Sequence, residues 1–191
     1  MTKIGAIVLA AGHGRRMGAD KALLDLGGKM AVERVVESCR TAGVEWLGIV
    51  RASGTPVLGE GLAELEVAVS GGEMLDSVRA GVAALPLECS AAIVFPVDYA
   101  MVSSESVCAV VDAVRNGHEV VLPIYDDRPG HPIGLSRVCL DEVCGDIESL
   151  RDVVSADRER VLAVRVEDPW VHRDLDTPED LEMARASLRS I

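Results

Sequence analysis

The segment from Ile4 to Lys21 has the sequence IGAIVLAAGHGRRMGADK and contains the strongest structural signal in the chain. Residues 4–9 are apolar throughout, which predicts a strand buried on both faces, as at the centre of a parallel sheet. The small residues Ala10, Ala11 and Gly12 follow directly, and another group can approach the backbone closely there. Main-chain N–H groups in such a turn can bind anionic oxygens, so the segment predicts a phosphate site at a strand end.

Three cations, Arg15, Arg16 and Lys21, follow this turn within a span of seven positions. A polyphosphate needs such charges, whereas the alternative, a plain turn with arginines for solubility, does not. The dinucleotide fingerprint G-x-G-x-x-G is missed because its third glycine stands one position late, at Gly18, and the P-loop motif is absent. Arg51 is a weak candidate for a 2′-phosphate, so a nicotinamide-dependent reductase is a disfavoured alternative.

The stretch LAAGHGRRMGADKALLDLGGKMAVERVV, residues 9–36, resembles the start of nucleotidyltransferases of the molybdenum-cofactor type. These cytidylyl- and guanylyltransferases cap a molybdopterin and share a fold with sugar-phosphate nucleotidyltransferases. The resemblance implies that Arg16 and Lys21 are catalytic, with Arg16 stabilising the departing pyrophosphate and Lys21 against the α-phosphate. It also implies a nucleotide-binding turn made of Leu9, Ala10, Ala11, Gly12, Gly14, Arg15, Arg16 and Lys21.

Strands and helices alternate along the chain, which favours a parallel sheet with right-handed crossovers. We expect one α/β domain over residues 1–191: a single-domain Rossmann-like sandwich with a mostly parallel central sheet and helices on both faces. Aromatic residues make up only 3% of the chain, so the core must be built from Val, Leu, Ile and Ala.

The formal charge of −12 disfavours binding to long nucleic acids. No apolar run approaches the roughly 20 residues of a membrane span, and the N-terminus lacks an export pattern, so the expected location is cytoplasmic with no membrane partner. The five cysteines form no C-x-x-C pair, and we expect all of them to be small buried hydrophobes in a reducing compartment.

A fourth strand, residues 91–97, is apolar throughout and ends at Asp98. A carboxylate at the carboxyl end of a central parallel strand lies where open α/β sheets place ligands. The segment PVDYAMV resembles the family's metal-binding P-x-D-x-P-x-V, although Ala100 stands where the second proline is usual. The resemblance therefore implies that Asp98 is a metal ligand.

Near the C-terminus, residues 174–181 read DLDTPEDL and resemble the family's closing motif. The resemblance implies that Asp176 is the second metal-facing carboxylate, while Asp174 is a less certain candidate that could only orient the loop. Thr177 with Pro178 and Asp180 predicts the start of a helix. If two carboxylates converge to ~5 Å, they repel by about 3 kcal/mol at an effective dielectric of 20, which favours a bound cation such as Mg²⁺.

Two further segments complete the predicted site. In residues 70–81 the resemblance implies that Ser77 lies at a helix start near the nucleotide base, whereas Glu73 and Asp76 are interpreted as ordinary first-turn acids. The loop IYDDRPGHPIGLSR, residues 124–137, resembles the acceptor-facing loop of cytidylyltransferases and implies binding by Arg128, Gly130 and His131. For His131, a histidine that only fixes the turn is an equal alternative.

Together these patterns indicate an Mg²⁺-dependent transfer of a nucleoside monophosphate from an NTP to a phosphorylated small acceptor such as molybdopterin, with release of pyrophosphate. CTP is the favoured nucleotide and GTP the next. An enzyme that uses the capped cofactor is a candidate partner. The alternatives are a guanylyltransferase of the same fold and a non-catalytic nucleotide-binding relative.

Overall fold

The structure is a computed structural model that describes residues 3–12, 19–56, 58–69 and 73–189. These residues form eight strands and six helices. The strands are β1 (Lys3–Leu9), β2 (Trp46–Ala52), β3 (Glu66–Val69), β4 (Cys89–Pro96), β5 (Val120–Tyr125), β6 (Arg128–Pro129), β7 (Ile133–Ser136) and β8 (Val161–Arg165). The helices are α1 (Ala31–Thr41), α2 (Met74–Ala84), α3 (Ser104–Arg115), α4 (Arg137–Val143), α5 (Leu150–Ala156) and α6 (Pro178–Leu188).

All eight strands join one mixed sheet in the order β3-β2-β1-β4-β7-β5-β6, and β8 lies beside β5. The pairs β1–β2, β1–β4, β2–β3 and β5–β8 are parallel. The strand β7 is antiparallel to both of its neighbours, β4 and β5. The expected α/β architecture with a mostly parallel sheet is therefore confirmed.

The central strand β1 is buried on both faces because helices cover both sides of the sheet. Successive side chains of a strand point to opposite faces. Ile4, Ala6 and Val8 therefore pack in the core beneath α1 and α3, whereas Ile7 and Leu9 pack in the core beneath α2. This two-sided burial explains the uninterrupted apolar run at the start of the sequence.

Local signals set the end of α1 and the start of α6. Gly43, just after α1, has a φ of +70°, a backbone conformation that glycine adopts without a steric penalty. At the start of α6 the Thr177 hydroxyl accepts from the N–H of Asp180, and the Asp180 carboxylate accepts from the N–H of Thr177. This reciprocal capping confirms the helix start expected from the sequence.

The segment 124–137, expected to be a loop, contains regular secondary structure. β5 extends to Tyr125, a turn at Asp126 and Asp127 follows with φ values of 50° and 56°, and β6 completes a hairpin. The antiparallel strand β7 was missed because its sequence is only IGLS. Its glycine, Gly134, is needed since a Cβ there would overlap Val114 of α3.

Serine residues cap two further helices. The Ser103 hydroxyl accepts from the N–H of Ser106 at the start of α3, and Ser149 forms the cap of α5. The expectation that all five cysteines are buried is wrong, because Cys144 is exposed and Cys108 is only half-buried.

The longest helix among the described residues has 12 residues, and none of these helices has the length and apolarity needed to span a bilayer.

Candidate functional site

The carboxyl ends of the central strands form the edge at which the predicted site residues gather. Leu9 pairs with Pro96 of β4, and the N–H of Ala10 donates to the carbonyl of Val50 at 2.9 Å. Gly12 is exposed, and a Cβ there would meet no atom of the described residues within 4 Å. The turn therefore leaves the sheet between β2 and β4 with an accessible backbone. The predicted nucleotide ligands Gly14, Arg15 and Arg16 lie outside the described residues.

Lys21 begins a short 3-10 turn, Lys21–Leu23, whose position is fixed by its neighbours. The Asp20 carboxylate accepts from the N–H of Ala22 at 3.0 Å, and the Ala22 side chain is fully buried. The backbone of Lys21 is thus anchored on the side away from solvent. Its side chain is left to extend towards the ends of the strands.

Arg51, near the end of β2, holds the 3-10 turn at Lys21 in place through Asp20. Its guanidinium pairs with both oxygens of Asp20 at 2.9 and 3.2 Å and donates to the carbonyl of Pro56 at 2.8 Å. Its side chain is 2% exposed. Arg51 is therefore not available for a 2′-phosphate, and this weak interpretation of the sequence is wrong. The signal for its true role was a single arginine at the end of an otherwise apolar strand.

Asp98 and Asp176 are brought together from segments that are distant in sequence. Asp98 follows β4 in a 3-10 turn, and its main-chain carbonyl accepts from the N–H of Leu175 at 2.9 Å. Leu175 is fully buried, so the acids on either side of it are fixed against β4. One carboxylate oxygen from each of Asp98, Asp174 and Asp176 lies within 4.8 Å of the others.

The ammonium of Lys21 lies between two of these carboxylates. Its Nζ donates to Asp98 Oδ2 at 3.0 Å and also contacts Asp176 Oδ1. Burial opposes the charged form of Lys21, but hydrogen bonds and charge from Asp176 and Asp98 outweigh it and raise its pKa. Lys21 is therefore positively charged at neutral pH and neutralises part of the carboxylate cluster.

The same cluster has the donors that a divalent metal ion requires. Carboxylate oxygens are the hard ligands that Mg²⁺ and Mn²⁺ prefer. Asp98 Oδ1 is buried and has no hydrogen-bond partner among the described residues. Burial, together with the charges of Asp176 and Asp98, raises the pKa of Asp174. The residues therefore fit a divalent ion.

The predicted acceptor loop packs beside this cluster through an aromatic contact. The rings of Tyr99 and His131 are 4.4 Å apart and tilted by 45°. Burial raises the pKa of Tyr99 to about 12, with help from the neighbouring aspartates. Burial lowers the pKa of His131 to about 4, so its imidazole is neutral at pH 7. Two uncharged rings thus border the acidic cluster.

Main-chain contacts hold the loop itself. Gly130 donates to the carbonyl of Pro123 at 2.9 Å, and the N–H of His131 donates to the carbonyl of Val171 at 2.6 Å. A Cβ at Gly130 would overlap the same Val171 carbonyl. The backbone of His131 therefore fixes the turn, whereas its Nδ1 is buried and has no partner among the described residues. Arg128 is exposed in β6.

The start of α2 explains the acidic residues that depart from the family pattern. The N–H of Glu73 donates to the Asp76 carboxylate at 3.4 Å, and the two residues form a reciprocal cap. Asp76 is therefore a first-turn acid as expected, whereas Glu73 is the N-cap residue of α2. Ser77 is 5% exposed, and its hydroxyl donates to the carbonyl of Glu73 at 3.5 Å.

The fold and the site together define an α/β nucleotidyltransferase-type domain, in which the end of the first strand faces carboxylates from two later segments. Residues 6–165 match the MobA-like NTP transferase domain, and the chain belongs to that family.

A curated relative agrees with this assignment. The chain is 36% identical over 129 residues to a 2-C-methyl-D-erythritol 4-phosphate cytidylyltransferase of Frankia casuarinae, a match that covers 64% of this chain and 48% of the relative. The chain therefore spans about half the length of that relative.

Two solved structures share the fold over almost the whole chain. A nucleotidyl transferase from Methanothermobacter thermautotroptrophicus has a TM-score of 0.84 at 20% identity, with 100% of each chain covered. The manganese complex of Rv0371C from Mycobacterium tuberculosis has a TM-score of 0.77 at 22% identity, with 97% of this chain and 100% of that chain covered.

Proposed function

We propose that this chain transfers a nucleoside monophosphate from an NTP to a phosphorylated small molecule and releases pyrophosphate, with a divalent metal ion bound at Asp98 and Asp176. The observation that carries the proposal is the convergence of these two carboxylates with Lys21 just beyond the carboxyl end of β4. Membership of the MobA-like family supports the reaction class.

CTP is the proposed nucleotide, with GTP next. The cytidylyltransferase name of the curated relative supports CTP. The acceptor candidates differ in origin. Molybdopterin follows from the family resemblance, which also implies a partner enzyme that uses the capped cofactor, whereas the relative's name points to 2-C-methyl-D-erythritol 4-phosphate. Both carry a phosphate that can act as the nucleophile.

In the proposed reaction an oxygen of the acceptor phosphate forms a bond to the α-phosphorus of the NTP. The bond from that phosphorus to the bridging oxygen of the β-phosphate breaks, and pyrophosphate leaves with its electron pair. The nucleophile is already an anion, so the chain needs to supply orientation and positive charge rather than a general base. This requirement agrees with a site that contains cations and backbone donors.

Each group of residues has a part in that scheme. The backbone from Leu9 to Gly12 and the Ser77 helix position the nucleotide, and Lys21 contacts the α-phosphate. Arg16 stabilises the departing pyrophosphate and Gly14 and Arg15 bind the nucleotide, roles that rest on the sequence because these residues lie outside the described ranges. A bound Mg²⁺ or Mn²⁺ supplies neutralisation of the phosphate charge. Arg128, Gly130 and His131 face the acceptor.

The proposal is tested by pyrophosphate release from each of the four NTPs with Mg²⁺ and either acceptor. We expect release with CTP and one acceptor, and a weaker signal with the other nucleotides. If a nucleotide raises the melting temperature but no pair releases pyrophosphate, the chain is a non-catalytic nucleotide-binding relative and the proposal is wrong. Ala100, in place of the usual proline beside Asp98, makes this a relevant second outcome.

A further inference from the structure

We propose that Lys21 is an internal counterion that occupies the metal position until a nucleotide arrives, so that the metal ion and the NTP bind together. The inference rests on the proposed function, because it takes Asp98 and Asp176 as the metal ligands. It adds a prediction that the proposed function alone does not make. The free protein should bind divalent ions weakly, although it presents three convergent carboxylates.

The first observation is that Lys21 uses the oxygens that a metal ion would need. Its Nζ is 3.0 Å from Asp98 Oδ2 and in contact with Asp176 Oδ1, and its side chain is only 13% exposed. A divalent ion bound to the same two oxygens would lie against the ammonium, and the two cations would repel each other strongly. Binding of the ion therefore requires the Lys21 side chain to leave.

The second observation is that this exchange needs only a side-chain rotation. The backbone of Lys21 is anchored by the Asp20 cap, by the buried Ala22 and, through Asp20, by Arg51. A lysine side chain is a flexible stem with a compact charge, which can move between a carboxylate and a phosphate. The polyphosphate of an NTP offers the ammonium a new anionic partner, whereas a metal ion arriving alone offers none.

The charges of the cluster favour joint binding over separate binding. Within the part of the chain that the structure describes, the cluster consists of three carboxylates and the Lys21 ammonium, and Asp98 Oδ1 has no hydrogen-bond partner there. When nucleotide and metal ion arrive together, Lys21 moves to a phosphate and the carboxylates receive the ion. By linkage, a nucleotide that raises the affinity for the metal ion has its own affinity raised by the same factor.

The test uses Mn²⁺ alone as the probe, with free Mn²⁺ measured by electron paramagnetic resonance. Lys21→Met keeps the length of the side chain and removes its charge. Lys29→Met removes the same charge from an exposed lysine that pairs with Glu37 at 2.6 Å. Without nucleotide, we expect Lys21→Met to bind Mn²⁺ about tenfold tighter than the wild type. The Lys29→Met protein should bind Mn²⁺ as the wild type does.

A second measurement does not depend on the folding of Lys21→Met. In the wild type, Mn²⁺ alone should leave the melting temperature nearly unchanged. Mn²⁺ with a non-hydrolysable CTP analogue should raise it by more than the analogue does in EDTA. An equal effect of Mn²⁺ with and without the analogue would overturn the inference.

Asp98→Asn distinguishes a failure of the metal site from a failure of the counterion role of Lys21. If Lys21→Met and wild type bind Mn²⁺ equally and Asp98→Asn weakens both, the metal site stands and the counterion role of Lys21 is wrong. If Asp98→Asn changes Mn²⁺ binding in neither background, the carboxylates are not the ligands, and the metal site of the proposed function falls together with this inference.

Discussion

The main-chain N–H of Leu175 donates a hydrogen bond of 2.9 Å to the main-chain carbonyl of Asp98. This bond joins the end of β4 to the segment that precedes α6. Because Leu175 is fully buried, this bond holds the backbone of the two aspartates that flank it close to Asp98. A single backbone contact therefore assembles carboxylates from two distant parts of the chain, and the proposed chemistry depends on it.

Replacement of Asp98 should remove activity without unfolding the protein. We expect Asp98→Ala to lower kcat for pyrophosphate release at least about a hundredfold, because a ligand of the metal ion that neutralises the phosphate charge is lost. The far-ultraviolet circular dichroism spectrum should be unchanged. Asp112→Ala, at an exposed carboxylate of α3, is the matched control and should retain full activity. Turnover near the wild-type value in Asp98→Ala would rule out its assigned role.

Loss of Arg51 should destabilise the whole fold. Arg51→Met leaves the Asp20 carboxylate, whose side chain is 19% exposed, without its partner. Removal of one member of a buried ion pair costs about 3–5 kcal/mol, which urea unfolding would measure. The control is Arg165→Met, since Arg165 and Asp127 pair at 3.0 Å with both side chains largely exposed. That change should cost about 0–1 kcal/mol. Equal unfolding midpoints for the two variants would contradict the structural role of Arg51.

A methyl group at Gly130 should displace the acceptor loop. A Cβ there would overlap the Val171 carbonyl, a backbone group that cannot rotate away. We expect Gly130→Ala to lower the free energy of unfolding by about 2–3 kcal/mol and to raise KM for the acceptor more than KM for the NTP. Gly59→Ala is the control, because a Cβ at Gly59 meets no atom within 4 Å. If the two variants were equally stable, the close contact between Gly130 and the Val171 carbonyl would be contradicted.

Acidification should destabilise the fold through His131. Burial lowers the pKa of His131 from 6.5 to about 4, so between these values the unfolded chain binds a proton that the folded chain does not. The free energy of unfolding should therefore fall as the pH falls, by about 2 kcal/mol from pH 7 to pH 5 for this residue. Urea unfolding of His131→Phe at both pH values should show a smaller loss than the wild type. His118→Phe, at an exposed histidine, should behave as the wild type. An equal loss in His131→Phe and wild type would contradict the buried, neutral state of His131.

Much of the fold could be predicted because its signals are local. The apolar run of β1 reflects burial on both faces, and the capping residues of α6 act within one turn of the helix. The position of Asp98 at a strand end likewise follows from the strand that precedes it. Such features depend on neighbours in sequence, so periodicity and capping patterns reveal them.

Other features depend on contacts between distant residues, and the sequence does not contain them in a local form. Gly134 of β7 is required because any side chain there would overlap α3. Glycine is uncommon in strands, so the sequence of β7 does not indicate a strand. The pairing of Arg51 with Asp20 links a strand end to a turn 31 residues away. From the sequence, the only role expected for Lys21 was contact with a phosphate. Its contacts with Asp98 and Asp176 join residues that are far apart in the chain and come together only in the folded sheet.

The central claim is that Asp98 and Asp176 bind a divalent ion beside the nucleotide. A crystal grown with Mn²⁺ and a non-hydrolysable CTP analogue, measured at the manganese absorption edge, tests it most directly. We predict an anomalous peak within bonding distance of both carboxylates, with the Lys21 ammonium moved onto a phosphate of the analogue. A peak elsewhere, or none with the analogue bound, would contradict the account.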